Sequence, residues 1–262
     1  MKKVITIIRK EWAEVFKNKL VLSTVIFLPL LFTAIPLVML YVTGDAGAEE
    51  LTSDIPAQFA QVCAEGLSGS ECFQVYMVNQ FMLLFMMTPL IIPINIAAYS
   101  IVGEKTTRSL EPLLATPITT TELLAGKNLA AATPAVVATW IGFLIYVVGA
   151  WIIVDNPLVV KALLDPMWWL AILIAGPLMA ILSVNFAIMV SSRVNEPRVA
   201  EQLSAVVILP LLALFFAQIT GFLLINRQIV LLLIVVLLLA DVLLVYAAVR
   251  LFQRETILTR WK

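Results

Sequence analysis

The sequence contains no histidine and only two cysteines among its 262 residues. It therefore has none of the His and Cys spacings that hold zinc or other transition metals. The phosphate-binding loop G-x-x-x-x-G-K-[ST] is also missing, because Gly126-Lys127 is followed by asparagine and has no upstream glycine. No nucleophile stands near a credible base. We expect no metal site, no catalytic residue and no cofactor bound by this chain, which excludes most enzyme classes.

Charge is scarce as well: 13% of the residues are charged, 62% are hydrophobic and the mean hydropathy is +1.03. In soluble domains the apolar share is nearer half. An apolar run of about 20 residues can cross a bilayer. Six such runs are present, at 20–43, 77–102, 128–154, 167–190, 202–225 and 229–249. We predict an all-α integral membrane protein whose single transmembrane domain takes up residues 1–262.

The net charge is zero, but the cations are unevenly placed. All Lys and Arg residues except Lys161 and Arg227 fall in four segments, at 1–19, 103–127, 191–201 and 250–262. Cytoplasmic loops are enriched in these residues, so both termini and the 250–262 tail are predicted to be cytosolic. The cations are spread as short flanks beside the spans rather than gathered on one face, so we expect no nucleic acid partner.

The first 19 residues predict an amphipathic helix that lies in the headgroup layer, with Trp12 as its anchor. Its apolar arc contains Val4, Ile5, Ile8, Trp12, Val15 and Phe16. A signal peptide is the alternative, but the apolar run at 20–43 is longer than the 7–15 residues of a signal peptide's apolar core, and Glu11 and Glu14 interrupt its basic start.

The stretch from Gly103 to Lys127 reads GEKTTRSLEPLLATPITTTELLAGK. Glu104 and Arg108 stand in the order that favours a helical ion pair. Three leucines, Leu110, Leu113 and Leu114, form one small apolar face, and Pro117 ends that helix. Thr119 and Glu122 form a capping-box pattern that starts the next helix. By themselves these residues fit either a docking helix or a loop lying on the membrane surface.

The pattern E-x-T-x-x-S-L-E-P-L-L-A-T-P, closing on L-L-A-G-K, resembles the hallmark loop in the membrane subunits of type-2 ABC exporters. The ending LFQRETILTRWK, from Leu251 to Lys262, resembles the tails of the same family. The resemblance implies a permease that pairs with a second copy or a paralogue and exports an unidentified substrate across the cytoplasmic membrane of a prokaryote. Its coupling helix, within 104–126, would dock on a separate ABC ATPase that binds ATP and Mg. The residues implied in that contact are Glu104, Arg108, Leu110, Glu111, Leu113, Leu114 and Pro117, with the charged ones as a polar rim.

Polar residues within the apolar runs are candidates for a translocation path. The resemblance implies that the second and fifth spans of two subunits meet around this path, which makes Thr88, Asn95, Gln218 and Thr220 candidates. Hydrogen bonding that only holds the bundle together is the alternative. Asp241 is a lone carboxylate in the sixth run, where an ionised group is costly. We favour structural pairing over a proton relay, because no histidine or second carboxylate accompanies it.

The two cysteines, Cys63 and Cys72, both fall in the first predicted outer loop. A disulfide between them is consistent with an oxidising exterior, and two free thiols are the alternative. Two other functions remain as alternatives to an ATP-driven permease. A secondary transporter predicts inverted repeats and a charged site at the membrane midplane, and the sequence shows neither. A membrane scaffold gives no particular reason for spans that contain amides and helix-kinking prolines such as Pro89 and Pro134.

Overall fold

The computed structural model describes residues 2–45, 67–106 and 118–251, which are helical apart from short connections and contain no strand. The α-helices are α1 (Lys2–Val15), α2 (Lys19–Asp45), α3 (Gly69–Phe85), α4 (Thr88–Thr106), α5 (Thr120–Ile153), α6 (Pro157–Leu163), α7 (Pro166–Leu170), α8 (Gly176–Ser191), α9 (Pro197–Ser204), α10 (Leu209–Ile219) and α11 (Arg227–Leu251). A π-helical turn (Ala171–Ala175) joins α7 to α8, and a 3₁₀ turn (Ala205–Ile208) joins α9 to α10.

Six helical stretches of the described chain are long and apolar enough to cross a membrane. They are Val21–Thr43, Gly69–Thr106, Thr120–Ile153, Pro157–Ser191, Pro197–Ile219 and Arg227–Leu251. This confirms the predicted all-α architecture with six spans. Several stretches extend beyond their apolar runs, because polar ends such as Gly69–Tyr76 and Thr120–Lys127 continue the same helices.

Local sequence explains where the helices break. The second span is divided between α3 and α4 at Met86-Met87, just before Pro89, which has no N–H to donate. The π-helical turn in the fourth span comes immediately before Gly176-Pro177. The predicted capping box at α5 is confirmed: the Glu122 amide donates to Thr119 Oγ1 at 3.2 Å, and the Thr119 amide donates to Glu122 Oε2 at 2.9 Å.

The fifth span is shorter than its apolar run. The run continues to residue 225, whereas α10 ends at Ile219. Gly221 adopts a positive φ of 71°, a left-handed conformation that terminates helices and that glycine adopts without steric cost. The Gly221 amide donates to the Gln218 carbonyl at 3.0 Å and closes the turn. The chain then reaches α11 through a short non-helical connection.

Two large apolar clusters fill most of the described bundle, beside a third of only three buried residues. One contains Phe143, Tyr146 and Trp168, and the other contains Val21, Ile92 and Ile188. The second cluster lies towards the end of the bundle that carries α1, the end of α4 and the start of α5. We call this end the α1 side. Helix α1 packs on α5, and α4 packs on α8. The helices on either side of residues 107–117 are therefore both packed against other parts of the bundle.

Candidate functional site

Four charged side chains meet on the α1 side and form what we call the charge cluster: Lys10, Glu11, Glu104 and Lys127. Glu104 lies near the end of α4 and Lys127 in the second turn of α5, so the two residues flank the predicted coupling segment 104–126. Lys10 and Glu11 belong to α1. The two positive and two negative charges balance.

Lys127 is the centre of the cluster and is only 4% exposed. Its ammonium donates to Glu11 Oε1 at 2.8 Å and to Ser100 Oγ at 2.7 Å, and it lies 2.8 Å from Glu104 Oε2. Two of its three N–H donors are thus hydrogen-bonded, and Glu104 adds an ion pair. A buried cation is tolerated when it is paired with opposite charge in this way.

Lys10 completes the cluster from the solvent side, where its ammonium donates to Glu104 Oε1. Burial would lower the pKa of Lys10, but the hydrogen bond and charge of Glu104 outweigh burial and raise it. Burial would likewise raise the pKa of Glu11, but the charge of Lys127 and its hydrogen bond hold that pKa below its usual value. Both groups are thus stabilised in their charged forms across the neutral range.

A second contact between α1 and α5 uses a backbone carbonyl that a proline leaves without its helical partner. Pro134 has no N–H, so the carbonyl of Ala130 loses its helical partner. The indole Nε1 of Trp12 donates to that carbonyl at 3.0 Å. The predicted membrane anchor Trp12 therefore also joins α1 to α5, and Lys3 adds an exposed ion pair with Glu122 at 3.6 Å.

The end of α4 has a further attachment to the short turn between α8 and α9. The ammonium of Lys105 donates to the carbonyls of Ser192 and Val194 at 3.3 and 3.2 Å. The residue next to Glu104 thus joins α4 to a third part of the chain. A displacement of the end of α4 would therefore also act on α1, on α5 and on the turn between α8 and α9.

Most of the residues predicted to contact an ATPase lie outside the described residues, namely Arg108, Leu110, Glu111, Leu113, Leu114 and Pro117. Glu104 is described, and it differs from the expectation of a polar rim. Its carboxylate is 4% exposed and lies between Lys10 and Lys127. Each lysine contacts one of the two carboxylate oxygens of Glu104. The sequence pattern did not link either lysine to Glu104.

The four candidates for a translocation path are dispersed, and no hydrogen bond joins any two of them in the described structure. Thr88 is fully buried and shares its hydroxyl with Thr139 of α5 at 3.0 Å. Thr220 is exposed and donates to carbonyls of its own helix. Asn95 is half-buried in α4. Gln218 is 3% exposed, and its Oε1 has no hydrogen-bond partner among the described residues.

Asp241 is buried in α11, which packs on α8, and its exposed fraction is 7%. Neither carboxylate oxygen has a hydrogen-bond partner within the described ranges. The expected structural pairing is therefore not seen there. The Asp241 carboxyl group is instead kept away from lipid by its burial against protein.

Cys72 lies in the first turn of α3, is buried, and is in the disulfide-bonded state. Its predicted partner, Cys63, lies outside the described residues, so the pairing of the two stays a prediction.

Sequence reasoning missed the charge cluster, although two signals for it were present. Glu11 is one of two acidic residues in a mainly basic segment, and the described helix places it on the buried stripe with Ile7 and Val15. That stripe shares only Val15 with the predicted apolar arc, most of whose large side chains are exposed or half-buried. Lys127 stands at the edge of a long apolar run, where a cation needs a partner.

The helices, their hydropathy and the kinked spans define a multi-pass α-helical membrane protein. Residues 5–230 match the family described as ABC-2 family transporter protein. Because this match takes up most of the sequence, the chain belongs to the ABC-2 transporter family, whose members are membrane subunits of transporters. No curated protein matches the chain.

Proposed function

We propose that this chain is the permease subunit of an ATP-driven exporter in the cytoplasmic membrane of a prokaryote. Two permease subunits, identical or paralogous, enclose the substrate path, and separate ABC ATPase subunits bind ATP and Mg. Both termini and the α1 side face the cytosol in this proposal. The distribution of Lys and Arg supports that orientation, and membership of the ABC-2 family supports the ATPase partnership.

The charge cluster is the observation that carries the proposal. A docking segment can drive a permease only if its movement reaches the spans. Glu104 is the first residue of 104–126, Lys127 directly follows the last, and the two side chains contact each other at 2.8 Å. Through Glu11 and Lys10 the same cluster includes α1, which leads directly into α2.

Closure of the ATPases would therefore act on three spans through one set of ion pairs. Such a movement is a rigid-body displacement of packed helices, which interfaces of this kind transmit well. Leu110, Leu113 and Leu114 supply the apolar contact with the ATPase, whereas the charge cluster passes the movement onwards. Glu104 thus acts inside the permease rather than at the rim of the contact.

Co-purification tests the proposal directly. The chain is extracted from native membranes in mild detergent, and every attached polypeptide is sequenced. We expect a polypeptide carrying G-x-x-x-x-G-K-[ST], and ATP hydrolysis that follows the permease through each purification step. Intact permease that purifies with its own copies but without such a polypeptide would contradict the proposal and favour a transporter with another energy source.

A further inference from the structure

An apolar groove between α2 and α5 is not used by the proposed coupling path. Its volume is about 310 Å³, near the lower end for pockets that hold a small ligand. Every residue lining it is apolar, including Phe16, Pro29, Leu30, Pro134, Ala138 and Ile145. The groove opens outward, since Leu30 and Ile145 are among the exposed hydrophobic residues of the two spans.

Prolines and a close helix contact shape the groove. Pro29 and Pro134 lie inside their helices and both line it. At its floor Gly142 allows α5 to approach α2, where Thr33 Oγ1 lies 3.2 Å from the Gly142 carbonyl oxygen. Any side chain added at Gly142 would press on Thr33 and Phe85. The groove is therefore a fixed feature of the packing between α2 and α5.

Its length corresponds to one leaflet of a bilayer. The lining of α5 runs from Pro134 to Ile145, which is about 16 Å at 1.5 Å per residue. Half of a hydrocarbon core of about 30 Å is about 15 Å. A single acyl chain is narrow enough to lie within such a groove, whereas a helix about 10 Å wide would pack over it.

Positive charge marks one end of the groove. Phe16 lines the end that lies beside the junction of α1 and α2. Lys17 and Lys19 follow in that junction; both are exposed, and neither forms an ion pair within the described part of the chain. Glu14, the nearest acid along the chain, lies 3.7 Å from the ammonium of Lys10. A negative group at this end would meet two available cations.

We propose that the groove binds one acyl chain of an anionic phospholipid from the leaflet on the α1 side, with the phosphate at Lys17 and Lys19. The groove supplies an apolar site one leaflet long, and the two lysines supply the complementary charge. The bound lipid packs against α2 and α5 and fills the space that the two prolines open. This site is independent of the ATPase partner, so it holds or fails separately from the proposed function.

Native mass spectrometry of the purified full chain tests the site. The protein is titrated with palmitoyl-oleoyl phosphatidylglycerol and, separately, with phosphatidylcholine of the same chains. We expect one tightly bound lipid per chain and a preference for phosphatidylglycerol. Ala138→Phe fills the groove and should weaken binding of both lipids at least tenfold, the loss expected from about two methylene groups left unburied. Leu144→Phe, on the lipid-facing side of the same helix, is the matched control and should bind like wild type.

The lysines are tested by Lys17→Gln combined with Lys19→Gln, a surface change that leaves the packing intact. Each cation near an anionic headgroup contributes roughly a fivefold factor, so phosphatidylglycerol binding should weaken about 25-fold. Phosphatidylcholine, whose phosphate is balanced by its choline cation, should lose much less. Lys161→Gln, an exposed lysine outside the groove, should change neither. Equal lipid binding by Ala138→Phe and Leu144→Phe would overturn the proposal. So would disulfide cross-linking between copies at Ile141→Cys, which would place a second copy in the groove.

Discussion

The ion pair between Glu104 and Lys127 should contribute measurably to the stability of the permease. The perturbation is a double-mutant cycle with Glu104→Gln, Lys127→Met and both together. At 2.8 Å and an effective dielectric constant near 20, the attraction is about 6 kcal/mol before the cost of removing both ions from water. Desolvation offsets much of that gain, so we expect a coupling energy of about 2 kcal/mol.

Each single substitution should lower the free energy of unfolding by more than the coupling energy of the pair. Glu104→Gln leaves two lysines with one buried carboxylate, Glu11. Lys127→Met leaves two carboxylates with Lys10 alone and also removes the bond to Ser100. Breaking a buried pair from one side typically costs about 3–5 kcal/mol, and because each remaining ion keeps one partner we expect about 3 kcal/mol here.

The assay is equilibrium unfolding of the full chain in mixed micelles, followed by tryptophan fluorescence. Lys3 and Glu122 provide a matched control cycle on the same two helices. Their atoms are 3.6 Å apart, and their side chains are 48% and 30% exposed, so their coupling energy should be below about 1 kcal/mol. A Glu104–Lys127 coupling no larger than that of Lys3–Glu122 would refute the reasoning and reduce the cluster to a set of surface charges.

Three further predictions follow from single features. The contribution of Glu11 to the free energy of unfolding is measured as the difference between wild type and Glu11→Gln. It should be fully present above pH 4.5, the ordinary pKa of Glu, and should disappear as the pH falls through the lower pKa of the folded state. A contribution that grows on acidification would contradict this. Asp241→Asn should leave the unfolding free energy unchanged or raise it by about 1 kcal/mol, because it replaces a buried carboxyl group that has no hydrogen-bond partner in the described chain. A loss above about 2 kcal/mol would reveal a partner. A cysteine placed at Glu122 should react with impermeant reagents only from the cytosol and one at Ser68 only from outside, whereas the reverse pattern would sink the proposed orientation.

The sequence was enough to predict the helices and the number of spans, because hydropathy over about 20 residues reflects one dominant physical term. The capping box at Thr119 was also predictable, since its contacts are local. Tertiary contacts were not. Glu11 and Lys127 are far apart in the chain, and the 2.8 Å bond between them depends on how α1 packs against α5. The end of α10 near Gly221 was also not predicted, because the apolar run continues past it and only the positive φ of this residue marks the end.

The central claim is that the apolar face of Leu110, Leu113 and Leu114 docks on the ATPase, and the affinity of the permease for the ATPase tests it most directly. The measurement is the Kd between the ATPase and the permease in lipid nanodiscs, for wild type and for Leu113→Ala with Leu114→Ala. Truncating a buried interface leucine loses on the order of 1–3 kcal/mol, so the Kd should rise at least about 30-fold while the unfolding free energy of the spans is unchanged. A Kd within about threefold of wild type would contradict the account and favour the alternative in which these leucines lie on the membrane surface.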